Sequence, residues 1–153
     1  MFNPTVNSYK RLNAAPTLSG ASWAPGAVSW SGNNRTHMIR IPEPGRFEVR
    51  LADGAANPYL LQAGLLAAGL DGLDNRRDPG PRLDIKMYTD GHTVSAKQLP
   101  LNLLDALRQF ERSTVLAERL GGLVPSYLKL KHEEWNAYAR HLSPWERETT
   151  IDV

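Results

Sequence analysis

The chain has 153 residues, of which 41% are hydrophobic and 22% charged, and its formal net charge at pH 7 is +2. This size and composition predict one globular domain, or part of one; they exclude a wholly disordered chain, and so small a charge excess does not indicate a nucleic-acid partner. The sequence contains no cysteine, which excludes disulfides, a thiolate nucleophile and thiolate-ligated metal centres and fits a reducing cytoplasm.

The first 32 residues are rich in Asn, Ser, Pro, Ala, Gly and Trp, and they predict loops and short strands instead of helices. Met1 leads into a polar segment, so no signal peptide is expected, and no apolar segment is long enough to cross a membrane. No amphipathic element precedes this opening segment to close a core. One hypothesis is therefore that the chain is the C-terminal piece of a larger protein.

The next segment predicts an antiparallel hairpin, with strands at 35–41 and 46–51 and a turn at Pro42-Glu43-Pro44-Gly45. Gly45 supplies the positive φ that such a turn often needs. The register has two alternatives. A three-residue loop places Arg40 opposite Glu48 on the same face, whereas a four-residue loop turns Arg40 away.

Strict alternation of residues in the second strand separates an apolar face from a charged one. On the charged face Glu48 lies between Arg46 and Arg50, and next-but-one residues on a strand are about 7 Å apart. At that spacing the carboxylate stays ionised and can share an anionic substrate or a metal with the two guanidiniums, which suits phosphate chemistry. A surface ion-pair ladder is the alternative interpretation.

Helices are predicted for most of the remaining chain. Asn57-Pro58 provides an N-cap and a first helical residue, and the apolar residues that follow, as far as Leu70, predict a buried helix that ends at Asp71-Gly72. In the last third, capping residues predict helix starts at Asn102, Ser113 and Ser143, and another helix is expected from Ser126 to Arg140.

The predicted fold class is therefore α+β. Antiparallel strands near the N-terminus are followed by a buried helix and a C-terminal helical region. The division falls near Pro58, with a strand and loop half at residues 1–57 that carries the charged face, and a mainly helical half at residues 58–153.

Several short motifs occur in one order along the chain. They are Asn7-Ser8-Tyr9-Lys10-Arg11-Leu12, Asn34-Arg35, Ile39-Arg40-Ile41-Pro42, Arg46-Phe47-Glu48-Val49-Arg50, Ala56-Asn57-Pro58-Tyr59, Ala68-Gly69-Leu70-Asp71-Gly72, Leu99-Pro100 and Trp145-Glu146. Together they resemble the C-terminal half of the glutamine synthetase catalytic domain. The shared order makes the resemblance specific, and it extends over nearly the whole chain.

The resemblance implies an activity, cofactors and partners. The family makes glutamine from glutamate, ammonia and ATP through a γ-glutamyl phosphate, with divalent metal ions (Mg²⁺ or Mn²⁺), in a cytoplasmic homo-oligomer built as a double ring. The resemblance also implies a role for each matching residue. Arg11 and Arg50 bind glutamate, Arg35, Arg40 and Arg46 bind the phosphates of ATP, Arg35 and Arg50 act in catalysis, and Glu48 is a metal ligand.

Two departures from the family pattern bear on function. Many members carry a longer flap with a glutamate that helps to deprotonate ammonium, whereas Asn13-Ala14-Ala15-Pro16 is short and contains no acid. This form resembles the branch that includes γ-glutamylmethylamide synthetases, in which methylamine replaces ammonia. In addition, the family's small β-domain, its other metal-binding glutamates and its metal-binding histidines have no counterpart in this sequence.

Three other possibilities accompany the prediction of a glutamate–ammonia ligase. In the first, the amine is methylamine instead of ammonia. In the second, the chain is a non-catalytic remnant or assembly module. In the third, it is a generic binder of anions or nucleic acids, and the small charge excess disfavours this interpretation. The histidines lack metal-ligand spacing, so surface or structural roles are expected for them. Tyr88 lies roughly where some bacterial members carry an adenylylated tyrosine, but its flanking residues differ from that loop and no modification is expected.

Overall fold

The computed structural model describes residues 1–12 and 24–150, in which a small three-stranded sheet is followed by a succession of helices. The fold is α+β, as predicted. The elements are α1 (Ser8–Leu12), β1 (Trp30–Ser31), β2 (Ile39–Glu43), β3 (Arg46–Val49), α2 (Pro58–Asp74), α3 (Met87–Asp90), a 3₁₀ helix (Gly91–Thr93), α4 (Leu103–Glu111), α5 (Thr114–Leu120), α6 (Leu123–Arg140) and α7 (Pro144–Thr150). None of the helices in the described ranges is long and apolar enough to span a membrane.

The sheet has the order β1-β2-β3, with β1 parallel to β2 and β2 antiparallel to β3. Arg40 pairs with Glu48, as the three-residue loop predicted, but the turn itself is shorter because Glu43 pairs with Arg46. Gly45 has the predicted positive φ, at 79°. The register shifts between Arg40 and Glu43, where β2 has one residue more than β3; Pro42 lies in this irregular stretch, which suits a residue without an N–H.

The first helix was not predicted, since residues 1–32 indicated loops and short strands. Thr5 and Ser8 exchange hydrogen bonds from each backbone N–H to the other's hydroxyl, both at 3.1 Å, and so stabilise the start of α1. A helix of five residues is too short to show a hydrophobic period. It nevertheless places Tyr9 in the core and Arg11 beside the end of the hairpin.

The predicted caps are confirmed at four helix starts, including Ser113, whose hydroxyl accepts from the Leu116 N–H at 3.3 Å. The Asn57 side chain accepts hydrogen bonds from the backbone N–H groups of Tyr59 and Leu60, and the Asn102 side chain accepts one from Asp105. Ser143 and Glu146 form a reciprocal capping box with bonds of 3.2 and 2.7 Å.

Two helix boundaries differ from the prediction. Helix α6 begins at Leu123 instead of Ser126, because Pro125 falls in its first turn, where a missing N–H costs little. Helix α2 continues past Asp71-Gly72 to Asp74. The aspartate and glycine therefore form part of the last turns of that helix.

The core lies between α4, α6 and the N-terminal segment. Leu103, Leu107 and Phe110 are buried at the predicted helical spacing, and Phe110 meets Tyr127 edge to face with ring centroids 5.6 Å apart. Tyr9 joins them from α1. The helical half of the chain thus supports α1, which carries Arg11.

Helix α2 is less buried than its apolar sequence predicts. Its small residues Gly64 and Ala67 are buried, whereas Tyr59, Leu66 and Leu73 are 80%, 65% and 76% exposed. A helix that is apolar all round needs cover on every side. The described part of this chain covers only one side of it.

Leu107→Ala is expected to lower the free energy of unfolding by about 2–5 kcal/mol, because Leu107 is 2% exposed and its loss leaves a cavity. Leu66→Ala is the matched control, and on an exposed helix face it should change stability by no more than about 0.5 kcal/mol. Urea denaturation followed by circular dichroism measures both. Equal destabilisation by the two variants would contradict this assignment of the core.

Candidate active site

The hairpin holds the Glu48 carboxylate between two arginines. Nη1 of Arg40 donates to both carboxylate oxygens at 2.7 Å, and Nη2 of Arg46 donates to Oε1 at 3.2 Å. The Arg40 side chain is 12% exposed and that of Glu48 is 36% exposed. The predicted charged face therefore exists, and it is partly shielded from water on the Arg40 side.

The surrounding cations keep Glu48 ionised. Hydrogen bonds from Arg40 are the main reason that the pKa of Glu48 lies below its usual range, and the charges of Arg46 and Arg50 add to the effect while desolvation opposes it. An ionised carboxylate is the form that ligates a divalent cation.

Asn33 orients Arg40 from the other side. Its side-chain oxygen accepts hydrogen bonds from Nε of Arg40, at 2.9 Å, and from Nη2. The Arg40 guanidinium is thus fixed by an amide at one end and a carboxylate at the other. Asn33 was not predicted as a site residue, because no spacing rule links it to Arg40 before the chain reversal between them is known.

Arg40 also borders an open, polar cavity of about 590 Å³ next to the hairpin. Arg35 and Lys86 are both exposed on its rim, and within the described ranges neither side chain forms a hydrogen bond or ion pair. Cations that converge without a neutralising carboxylate attract an anion. The lining residues are Asn33, Asn34, Arg35, Thr36, Arg40 and Lys86.

Arg50 follows β3 and is half-buried. Burial lowers its pKa, as do Arg35 and Arg40, while Tyr88 and Glu48 favour the charged form. Its Nη1 atom is buried and has no hydrogen-bond partner in the part of the chain that the structure describes. A buried donor without an acceptor is unusual, and it marks Arg50 as a group that can accept an anionic ligand.

Arg11 lies at the other end of the charged face. Its Nη2 donates to the Leu51 carbonyl and to the Asn3 side chain, the latter at 3.2 Å. This part of the guanidinium therefore holds protein segments together and is not free for a ligand. Its Nε is buried without a partner among the described residues. Tyr88 links this end to the hairpin, because the charges of both Arg11 and Arg50 act on its hydroxyl while burial raises its pKa.

The predicted residues are therefore close in space. Arg35, Arg40, Arg46, Glu48 and Arg50 form one cluster, and Arg11 lies beside Tyr88 at its edge. The short flap at 13–16 lies outside the described residues. Lys86 joins the cluster from a segment in which sequence analysis expected no site residue.

The metal environment is incomplete within the described ranges. They contain no group of three or more His, Cys, Asp or Glu side chains placed to hold a metal ion. His37, fully buried, has the structural role that was expected: its Nε2 lies 3.0 Å from the Ile85 carbonyl and its Nδ1 lies 3.1 Å from the Ser29 hydroxyl. Because a carbonyl only accepts, Nε2 carries the proton and Nδ1 accepts from Ser29.

Comparisons with known proteins identify the same family as the sequence motifs. The family model described as "Glutamine synthetase, catalytic domain" matches residues 1–150. A glutamine synthetase of Rhizobium leguminosarum bv. phaseoli is 60% identical over 153 residues, covering 99% of this chain and 35% of the relative. A glutamate–methylamine ligase of Methyloversatilis universalis is 46% identical over 147 residues, covering 94% of this chain and 33% of the relative.

Solved structures give the same result. One described as a GmaS/ADP complex superposes with a TM-score of 0.93 at 59% identity, covering 99% of this chain and 35% of that one. A glutamine synthetase of Plasmodium falciparum superposes with a TM-score of 0.71 at 21% identity, covering 97% of this chain and 37% of that one, and so shares the fold. The chain spans about a third of the length of the relatives it matches.

Proposed function

Since the chain belongs to the glutamine synthetase catalytic-domain family, we propose that it forms the C-terminal part of an ATP-dependent ligase that joins glutamate to ammonia. The remaining ligands of the active site are supplied by polypeptide outside this chain. The full-length protein is a cytoplasmic homo-oligomer, a proposal that rests on family membership.

Phosphate binding is assigned to Arg35, Arg40 and Arg46. Phosphoryl transfer from ATP to a carboxylate brings two anions together, so cations must neutralise both before they can approach. The guanidinium fork of arginine binds phosphate or carboxylate through two parallel hydrogen bonds. The exposed Arg35 and the partly shielded Arg40, which is fixed by its hydrogen bonds, border the same polar cavity, and this supports the assignment.

Glutamate binding is assigned to Arg50 and Arg11. Arg50, with Nη1 unpartnered, holds the side-chain carboxylate of glutamate that becomes activated. Arg11 holds the α-carboxylate at the other end of the substrate. The two arginines act on the hydroxyl of the same Tyr88, which supports placing one substrate between them.

Glu48 fits as one ligand of Mg²⁺ or Mn²⁺, because an ionised carboxylate oxygen is the ligand that hard divalent cations prefer. It does not make a site by itself, since Arg40 and Arg46 already surround it with positive charge. Phosphate oxygens and further carboxylates must supply the remaining ligands and the negative charge. When bound, the metal neutralises the charge that develops on the transferred phosphoryl group.

The reaction has two steps. The side-chain carboxylate oxygen of glutamate attacks the γ-phosphorus of ATP, the bond to the β-phosphate oxygen breaks, and ADP leaves. The amine then attacks the acyl carbon of the γ-glutamyl phosphate, phosphate leaves with the electron pair of the carbon–oxygen bond, and the amine loses a proton. Arg35 and Arg50 face the group that is transferred, and they hold it in line between donor and acceptor.

The observation that carries the proposal is the Arg40–Glu48 pair beside a basic cavity that has no carboxylate among its lining residues. In a surface ion-pair ladder every cation would find an acidic neighbour. Here Arg40 and Arg46 do have acidic neighbours, but Arg35 is not neutralised within the described residues.

A chimera tests the proposal. This chain replaces the matching segment of the Rhizobium leguminosarum relative, and the release of phosphate from ATP is measured with and without glutamate and an amine. We expect release only when both are present. A chimera that assembles to the size of the parent enzyme but releases no phosphate would contradict the proposal and support a non-catalytic assembly module.

Methylamine is the second candidate for the amine, and the similarity to a glutamate–methylamine ligase favours it. The same chimera, assayed with each amine over a concentration series, gives the ratio of the two kcat/KM values. A ratio in favour of ammonia supports the proposal as stated. A ratio in favour of methylamine replaces ammonia by methylamine and leaves the phosphoryl-transfer step unchanged.

A further inference from the structure

Lys86 faces the same cavity as Arg35 and Arg40, although it lies on a distant part of the chain. It immediately precedes α3, after the loop that follows α2. No motif in the sequence connects it with the hairpin. Its place beside the arginines is a property of the fold alone.

The residues on both sides of Lys86 form hydrogen bonds to the segment that carries Arg35. On one side, the Ile85 carbonyl accepts hydrogen bonds from the Asn34 amide at 2.8 Å and from Nε2 of His37 at 3.0 Å. On the other side, the Met87 N–H donates to the Thr36 hydroxyl at 3.0 Å.

These hydrogen bonds are partly shielded from water. Thr36 and His37 are both buried, and a buried hydrogen bond is costly to break because its groups lose their partners without gaining water. The backbone of Lys86 is therefore held in a fixed position relative to that of Arg35. Its side chain is exposed and can follow a ligand in the cavity.

The charge of Lys86 is not neutralised locally. In the residues described it makes no ion pair, whereas Lys131, for comparison, contacts Glu134 at 2.7 Å. Arg40 is already paired with Glu48, but Arg35 and Lys86 carry like charges at one cavity without acidic partners, and an anion that binds between them relieves their repulsion. The cavity, at about 590 Å³, is of the size that small-molecule sites have.

We propose that Lys86 is a phosphate-binding residue that contacts the oligophosphate of the nucleotide together with Arg35 and Arg40. The proposal rests on the proposed function and extends it to a segment outside the hairpin. The arginines supply directional forks, and the lysine supplies a compact charge that moves with the phosphate group. The ligand class is an oligophosphate.

The test uses inorganic tripolyphosphate as the probe and isothermal titration calorimetry on the chain. Lys86→Ala is expected to weaken binding about fivefold to tenfold, as the loss of one charge-assisted contact at an exposed site. Lys86→Arg should retain most of the affinity. Lys129→Ala, an exposed lysine on α6, is the matched control and should bind as the unaltered chain does.

Arg35→Ala separates the two proposals. If it weakens binding while Lys86→Ala binds as the unaltered chain does, Lys86 has no role and the phosphate assignment of the arginines stands. If the unaltered chain does not bind tripolyphosphate at millimolar concentration, the cavity is no phosphate site, and both this proposal and the phosphate assignment fail. Circular dichroism of Lys86→Ala should match the unaltered chain, because the side chain is exposed.

Discussion

Glu48→Ala is expected to lower the rate of ATP-dependent ligation by the chimera about a thousandfold, since a metal that neutralises transition-state charge contributes several kcal/mol. The variant removes the proposed metal ligand and leaves Arg40 and Arg46 without their shared partner. The rate is measured as glutamate- and amine-dependent release of phosphate at saturating magnesium. The concentration of magnesium needed for half-maximal activity should rise in Glu48→Gln, which keeps the shape of the side chain but not its charge.

Glu43→Ala is the matched control for this prediction. Glu43 lies on the same hairpin and also pairs with Arg46, at 3.5 Å, but its side chain is 62% exposed. An exposed pair of this kind contributes little to stability, so Glu43→Ala should keep nearly full activity. Equal losses in the two variants would mean that the acidic residues only maintain the hairpin, and full activity in Glu48→Ala would exclude a metal-ligand role.

Arg50→Lys is expected to lower kcat/KM for glutamate about a hundredfold or more, although it keeps the positive charge. A lysine cannot reproduce the planar fork, and loss of one preorganised donor to a reacting oxygen typically costs about two to three orders of magnitude. The donor that the variant would lose is Nη1 of Arg50, which is buried and has no hydrogen-bond partner among the described residues. The measurement is steady-state kinetics of the chimera with glutamate as the varied substrate.

Arg112→Lys is the control, since Arg112 is exposed at the end of α4 and remote from the hairpin. We expect it to leave kcat/KM unchanged. If Arg50→Lys raises only the KM for ATP, then Arg50 acts on the nucleotide and not on glutamate. Unaltered kinetics in Arg50→Lys would contradict its assignment altogether.

Local sequence rules predicted much of the fold. The caps at Asn57, Asn102 and Ser143 were predictable because each needs only a side chain within three residues of the N–H groups that it accepts from. The charged face of β3 was predictable because a strand alternates. Such features depend on the nearest neighbours along the chain.

Helix α1 was not predicted because its five residues are too few for a period, although the pair Thr5 and Ser8 at its start is local. Features that depend on tertiary contacts were not predictable either. The exposure of α2 depends on what surrounds it, which its apolar sequence does not specify. Lys86 joins the site only through hydrogen bonds between the segment that carries it and the one that carries Arg35.

The register of the hairpin was predictable in part. Sequence analysis offered two loop lengths, and the pairing of Arg40 with Glu48 follows one of them. The shorter turn and the extra residue near Pro42 were not foreseen, because two departures from a regular hairpin compensate each other. The pairing of Arg40 with Glu48 was therefore one of two predicted alternatives, and the backbone that produces it was not predicted.

The γ-glutamyl phosphate tests the central claim most directly. The chimera is mixed with excess labelled glutamate and one equivalent of ATP in the absence of amine, and the reaction is stopped with borohydride, which reduces an acyl phosphate to an alcohol that keeps the label. The account predicts that the reduced product forms in proportion to the ADP released, and that it disappears in Glu48→Ala. Release of ADP without reduced product, or in the absence of glutamate, would contradict it.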